Sequence, residues 1–360
     1  MKVTRELIHQ LPKTDLHLHL DGSLRPSTMI ELAREYGVHL PKSDPQDLAD
    51  YMHVTDARDL VDYLARFDIT VSLMQTADAL ERIAYELVED CAAENLRYIE
   101  VRFAPWLNTK GGLSEEDVLE AVLKGLRRGE KDFGTRSGVI VCSLRHRPAN
   151  ESLHSAQVAV AFKGRGVVAY DLAGPEHGHP PTEHQLAFDY AATNNLAITI
   201  HAGEAYGPAS IREALHRCHA RRLGHGTRLH EDPDLMSFVN DFRIPIEICL
   251  TSNVQTRVTP DFSEHPVRLY YDQGLVVTLC TDNRLMSATT VTDEYMRAHE
   301  HLGFDAQELG EIALMGFESA FMPYAEKVAL IETVSAEIEA LLSGAAVSAD
   351  AGAGAKLSAP

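Results

Sequence analysis

The segment Asp15-Leu-His17-Leu-His19-Leu-Asp21-Gly22 alternates polar and apolar residues with the period of a strand. Its two histidines therefore point one way and its leucines the other. A buried polar face of this kind is costly unless something binds it. Two neutral imidazoles two residues apart can both reach one metal ion. Taken alone, a surface strand with two solvated histidines is the better account of the pattern. The leucines on the opposite face, and the strand's place as the first of the barrel, bring the metal reading level with it. Three more pieces carry similar chemistry: Ile200-His201-Ala202-Gly203-Glu204, Arg222-Leu-Gly-His225-Gly226 and Cys280-Thr281-Asp282-Asn283. Each has an inert account as a helix cap or a tight turn with an incidental side chain. Together they set four histidines, a glutamate and an aspartate at the ends of apolar runs. Three His and a carboxylate suit zinc, with iron and manganese as alternatives. A second cluster, Glu176-His177-Gly178-His179, sits among prolines and glycines and reads as a polar loop. Glu100 and Arg102 share one strand face and are placed to pair inside the fold.

Something must hold these pieces together. Short apolar runs at 15–20, 98–103, 139–144, 167–172, 197–201, 222–225, 246–250 and 276–281 alternate with amphipathic stretches such as 182–194, 210–219 and 233–241. Eight strands with helical crossovers predict an α/β fold, a (β/α)8 TIM barrel. An open doubly wound sheet is the alternative. In the barrel, the candidate residues fall at the C-terminal ends of the first, fifth, sixth and eighth strands, where barrel active sites form. A long helical stretch, 26–95, interrupted near 40–56, reads as an insertion after strand 1 that covers the barrel mouth. Extra C-terminal helices run to about residue 343, so residues 1–343 are expected to form a single domain. The tail 344–360 is small and polar, and is expected to be disordered.

Composition narrows the function. With 360 residues, 45% of them hydrophobic, the chain can bury a large core. A net charge of −20 disfavours phosphate backbones, so no nucleic-acid partner is expected. No apolar run reaches the roughly 18 residues of a membrane span, and the N-terminus lacks the apolar segment of a secretory signal. The five cysteines form no CxxC pair, which suits reduced thiols. A cytoplasmic protein with no membrane association is expected.

The strings LHLHLDGSLRP (16–26), DLAGPE (171–176), HAGE (201–204), LGHG (223–226) and TDN (281–283), in this order, resemble the adenosine deaminases of the amidohydrolase type. The resemblance implies hydrolytic deamination of adenosine or 2′-deoxyadenosine to inosine or deoxyinosine and ammonia, in purine salvage. It implies one zinc on His17, His19, His201 and Asp282. Glu204 would protonate purine N1. His225 would orient and help deprotonate the attacking water, and Asp282 would accept a hydrogen bond from it. Gly174 would donate its N–H to purine N3. Asp21 would bind the ribose 5′-hydroxyl with His19 nearby. Adenine deaminases of this wider family commonly carry Glu-Gly where this chain has Asp21-Gly22, so Asp21 favours a nucleoside. Many relatives have a second Asp, contacting purine N7, where this chain has Asn283, so the N7 contact differs here. The alternatives are deamination of adenine or aminodeoxyfutalosine, and a non-catalytic nucleoside-binding barrel. Amide or phosphoester hydrolysis with two metals and a bridging lysine is more distant, because the run 167–172 has no Lys.

The chemistry fits the residue types. Zinc lowers the pKa of a bound water to about 7. Attack at C6 pushes electrons onto N1, and a carboxylic acid there supplies the proton. A helical cover would keep bulk water from the polar groups.

Overall fold

The computed structural model describes residues 1–54 and 66–344. Apolar runs supply eight strands: β1 (Lys13–His19), β2 (Leu96–Phe103), β3 (Arg136–Leu144), β4 (Val167–Ala173), β5 (Ala197–Ala202), β6 (Arg222–His225), β7 (Ile246–Ile248) and β8 (Val277–Leu279). They pair in parallel, each with the next in sequence. Closure comes just beyond β8. The Asp282 N–H donates to the His17 carbonyl and the His19 N–H donates to the Asp282 carbonyl, each at 2.8 Å. The fold is the expected TIM barrel, and the open sheet is excluded.

β7 and β8 are shorter than the sequence suggests. The helix Leu250–Gln255 begins directly after β7, with the Asn253 N–H donating to the Cys249 carbonyl at 2.9 Å. Between β1 and β2 lie the helices Pro26–Tyr36, Pro45–Met52, Phe67–Leu73 and Ala77–Ala92. The helix Pro45–Met52 occupies part of the expected break at 40–56. Asp44 caps it through the N–H groups of Gln46 and Asp47, and Pro45 takes its first position, where a missing N–H costs nothing. Residues 55–56 of that break, and the tail from 345, lie outside the described residues. Helices Val291–Leu302, Ala306–Ser319 and Tyr324–Ser343 follow the barrel. Among the described residues, no helix is long and apolar enough to cross a membrane.

Leu16 and Leu18 of β1, and Leu20 just after it, pack into the hydrophobic core, as their alternation predicts; burial of one such side chain contributes about 1.5–3 kcal/mol. On the inward face the barrel is filled by charge. Arg222 donates to Glu100 and to Glu247, and Arg102 to Glu247 at 2.8 Å and Asp171 at 3.1 Å, all five side chains being buried. Glu100 and Arg102 thus take different partners rather than each other. Residues two apart on a strand stand side by side, and each here finds a better-aligned group across the barrel. Burial alone would raise the Glu247 carboxyl; Arg102 and Arg222 hold it well below the usual carboxylate range. Lys13, at the opposite end of β1 from the histidines, donates to the carbonyls of Ile8 and Leu11 at 2.7 Å and of Glu94 at 2.9 Å. It ties the helix Arg5–Gln10 to the barrel.

Candidate functional site

β1 carries His17 and His19, β5 carries His201, β6 ends on His225, and Asp282 stands at the closing seam. His17, His201, His225 and Asp282 each offer one ligand atom, and these atoms all lie within 4.8 Å of one another. His19 reaches the same place: its Nε2 is 3.2 Å from His201 Nε2 and 3.3 Å from Asp282 Oδ1. His17 Nε2 is 3.4 Å from that oxygen. All four residues expected to bind metal therefore converge, and His225 comes equally close.

Two outer carboxylates fix the rings. His17 Nδ1 lies 2.7 Å from Glu247 Oε2, and His201 Nδ1 lies 3.0 Å from Asp171 Oδ2. Each carboxylate accepts the Nδ1 proton, so each Nε2 turns a lone pair to the centre. His17 Nε2 is buried with no hydrogen-bond partner. Imidazole lone pairs and a carboxylate crowded together repel one another unless a cation sits between them. The residues present fit a metal ion. Asp15, the fourth polar residue of the β1 pattern, serves the seam instead, accepting from Thr281 Oγ1 at 2.5 Å.

Glu204 is buried in the loop after β5. Burial first, and then the carboxylates of Asp282 and Glu176, push its carboxyl well above the usual range, which favours the acid form. Its Oε2 is 3.6 Å from His225 Nε2. The loop itself is held by Glu176, which accepts the N–H groups of Gly203 at 2.7 Å, Glu204 at 3.0 Å and Tyr206 at 2.8 Å. The cluster 176–179 is therefore more than a polar loop. Glu176 is a buried clamp, although neither His177 nor His179 joins the histidine cluster.

One pocket opens over this centre. His19, Asp21, Glu204, His225, Asp282 and Asn283 line its polar side, with Gly174 beside them. Phe67, Val71, Trp106, Leu107 and Leu144 line an apolar side. Phe67 and Val71 come from the insertion after β1, which thus does cover the mouth. Asp21 is buried, its Oδ1 makes no hydrogen bond and lies 3.9 Å from His19 Nδ1, and burial together with Asp282 pushes its carboxyl up to about 7. Asn283 Oδ1 is also buried and unpartnered. It lies where a side chain on Gly22 would project: a Cβ there would stand 1.9 Å from it, so only glycine leaves Asn283 its place. Gly174 adopts φ +93°, a conformation that favours glycine, as the chain leaves β4.

The sequence reading missed Asp171 as more than a motif letter, and missed Glu247 and Asn253 altogether. Glu247 had a usable signal: a charge between two isoleucines in Ile246-Glu247-Ile248, the same anomaly that singled out His17. Asn253 lies in a polar helix and carries no such mark.

Comparison with known proteins agrees with this geometry. The adenosine deaminase family model matches residues 12–337. The adenosine deaminase of Mycobacterium sp. (strain JLS) is 44% identical, over 95% of this chain and 99% of the relative. Among solved structures, the Arabidopsis N6-mAMP deaminase superposes with TM-score 0.82 at 31% identity, covering 92% of this chain and 99% of that one. A zinc-bound amidohydrolase from Burkholderia ambifaria superposes with TM-score 0.86 at 25% identity, covering 96% of each chain. A matching family model over most of the chain, a barrel shared with these deaminases and a His/Asp centre fit for a metal lead to one conclusion: the chain belongs to the adenosine deaminase family of metal-dependent hydrolytic deaminases.

Proposed function

We propose that this chain deaminates adenosine and 2′-deoxyadenosine hydrolytically with one bound zinc, releasing ammonia and leaving inosine or deoxyinosine, and that residues 1–343 act as one domain. The observation that carries this reading is a single pocket in which the buried Glu204, its carboxyl pushed towards the acid form, and an Asp21 oxygen that makes no hydrogen bond flank the His/Asp cluster. A purine with a ribose needs both, a proton donor at the ring and an acceptor at the 5′-hydroxyl. Zinc is supported by the donor set and by the zinc-bound relative.

His17, His19, His201 and Asp282 would hold the zinc, which when bound makes a water nucleophilic at neutral pH. Asp282 accepts a hydrogen bond from the attacking water and His225 orients it. Glu204 delivers its proton to N1 as C6 becomes tetrahedral. The Gly174 N–H holds N3, Asn283 donates to N7, and Asp21 takes the 5′-hydroxyl beside His19. Phe67 and Val71 exclude bulk water.

A second reading has one observation in its favour. Lys110 and His146 also line the pocket, and the Arabidopsis relative is named for N6-mAMP. A 5′-phosphate would then lie near the mouth, but it would also meet the Asp21 carboxyl. Ammonia release from adenosine, deoxyadenosine, adenine, AMP, N6-methyl-AMP and aminodeoxyfutalosine decides. Adenosine and deoxyadenosine are expected to be fastest; a preference for a nucleotide or a free base would overturn the nucleoside assignment.

Asp21→Ala is expected to cost adenosine about 1–3 kcal/mol in kcat/KM, the size of a hydrogen bond to a charged group. Adenine lacks the 5′-hydroxyl and should lose much less. Equal losses on the two substrates would remove Asp21 from the ribose.

Asn283→Asp tests the N7 contact. N7 only accepts, and an Asn amide donates at any pH, whereas a carboxyl donates only while protonated. The variant is expected to work at mildly acidic pH and to lose kcat/KM as pH rises and the new carboxyl ionises. Wild type should lack that alkaline limb. The same comparison with 7-deazaadenosine, which has no N7 acceptor, should show no difference between the two proteins. Superimposable wild-type and variant profiles with adenosine would mean that Asn283 does not touch N7.

A further inference from the structure

His17, His201 and His225 stand at the same centre, yet their Nδ1 atoms face different chemistry. Those of His17 and His201 face carboxylates, which only accept. His225 Nδ1 instead faces the side-chain amide of Asn253, with 3.1 Å to Nδ2. Which way that amide points decides which ring nitrogen of His225 carries the proton.

A chain of one-way hydrogen bonds settles the amide. The Val267 backbone N–H can only donate, and it donates to His265 Nδ1 at 3.2 Å. His265 is fully enclosed; burial, reinforced by His230, lowers its pKa to about 3, so its ring is neutral. With Nδ1 already an acceptor, its single proton sits on Nε2. That Nε2–H points at Asn253 Oδ1, 3.1 Å away. Thr227 Oγ1 donates to the same oxygen at 3.2 Å. Two donors converge on Oδ1, so the other end of the amide, Nδ2, faces His225 and donates to its Nδ1. A proton on His225 Nδ1 would oppose that N–H. Asn253 is itself fully buried, so no water substitutes for these partners.

We propose that Asn253, oriented by His265 and Thr227, is a positioning residue that keeps the proton of His225 on Nε2, so that His225 acts as a hydrogen-bond donor to the attacking oxygen rather than as a metal ligand or a proton acceptor. Two tautomers in one cluster thereby divide the labour. His17 and His201 turn lone pairs inward and can bind a cation. His225, though equally close, turns an N–H inward, towards Glu204 and the pocket. The inference rests on the proposed reading for what the attacked molecule is, but the tautomer itself is a property of the protein alone.

The test is a long-range proton–nitrogen correlation spectrum of the metal-loaded enzyme labelled with 15N-histidine, with His225 assigned by its loss in His225→Gln. Wild type is expected to show His225 protonated on Nε2. Asn253→Asp replaces the donor by an acceptor and is expected to move the proton to Nδ1. The metal content should stay the same, KM should change by less than about twofold, and kcat should fall about 100-fold, the usual effect of losing one preorganised donor. A wild-type spectrum with the proton on Nδ1 overturns the proposal, whether or not the variant folds. So does an unmoved proton in Asn253→Asp, or a moved proton with unchanged kcat. Failure of the substrate panel alone would sink the functional reading and leave the tautomer result standing.

Discussion

Glu204→Gln is expected to keep its metal, bind purine nucleosides and turn them over about 10²- to 10⁴-fold more slowly, the usual range for a positioned acid. The glutamine amide is nearly isosteric, so the three hydrogen bonds from the loop backbone to Glu176 have no reason to change. What disappears is a transferable proton. Burial and the neighbouring carboxylates hold the Glu204 carboxyl well above its ordinary range. The acid form is therefore favoured over a wider pH range than in an ordinary glutamate, and activity should decline on the alkaline side as the group ionises. The variant should lack that limb. Metal analysis, a binding isotherm for a non-reactive nucleoside and a pH–rate profile separate the possibilities. Loss of metal with no specific rate effect would make Glu204 a structural residue.

The second large effect is expected at the four proposed ligands. His17→Ala, His19→Ala, His201→Ala and Asp282→Ala should each weaken metal binding by more than the roughly 10- to 100-fold that loss of an outer hydrogen-bond partner costs. Activity should fall with metal content. His225→Ala should keep the metal, because its ring nitrogen facing the centre carries a proton. Elemental analysis after dialysis against a chelator checks the whole set. Full occupancy and normal rates in two of the four ligand variants would end the assignment, and metal loss in His225→Ala would put that histidine among the ligands.

Much of this centre was legible before any coordinates. His17 and His19 stood out because a strand with leucines on one face must bury the other. Arg222 to His225 had the right bounds because glycines mark where that strand stops. The short β7 and β8 did not, because Leu250 and Thr281 continue an apolar run whose pairing has already ended. The helix after Asp44 was hidden although its cap and proline were in plain sight; eight residues give too few turns for a clear period. The partners of Arg102 could not be read at all. Asp171 and Glu247 lie 69 and 145 residues further on, and only barrel closure brings them to it. The same holds for Asn253, whose importance comes from His225 and His265 and not from its own neighbours in sequence.

The seam has a consequence for what partial chains can do. Strands β1 and β8 meet through Asp282 and the pair Asp15–Thr281, groups 266 residues apart in the chain. Contacts that distant are the costliest to form early, since the loop between them must first give up its freedom. Here the pairing that completes the cylinder also delivers the carboxylate of the centre to its histidines. A nascent chain on the ribosome, or a fragment that ends before residue 282, lacks that carboxylate. If Asp282 holds the metal as proposed, turnover in a cell extract is expected to count finished molecules, with no contribution from partly synthesised copies.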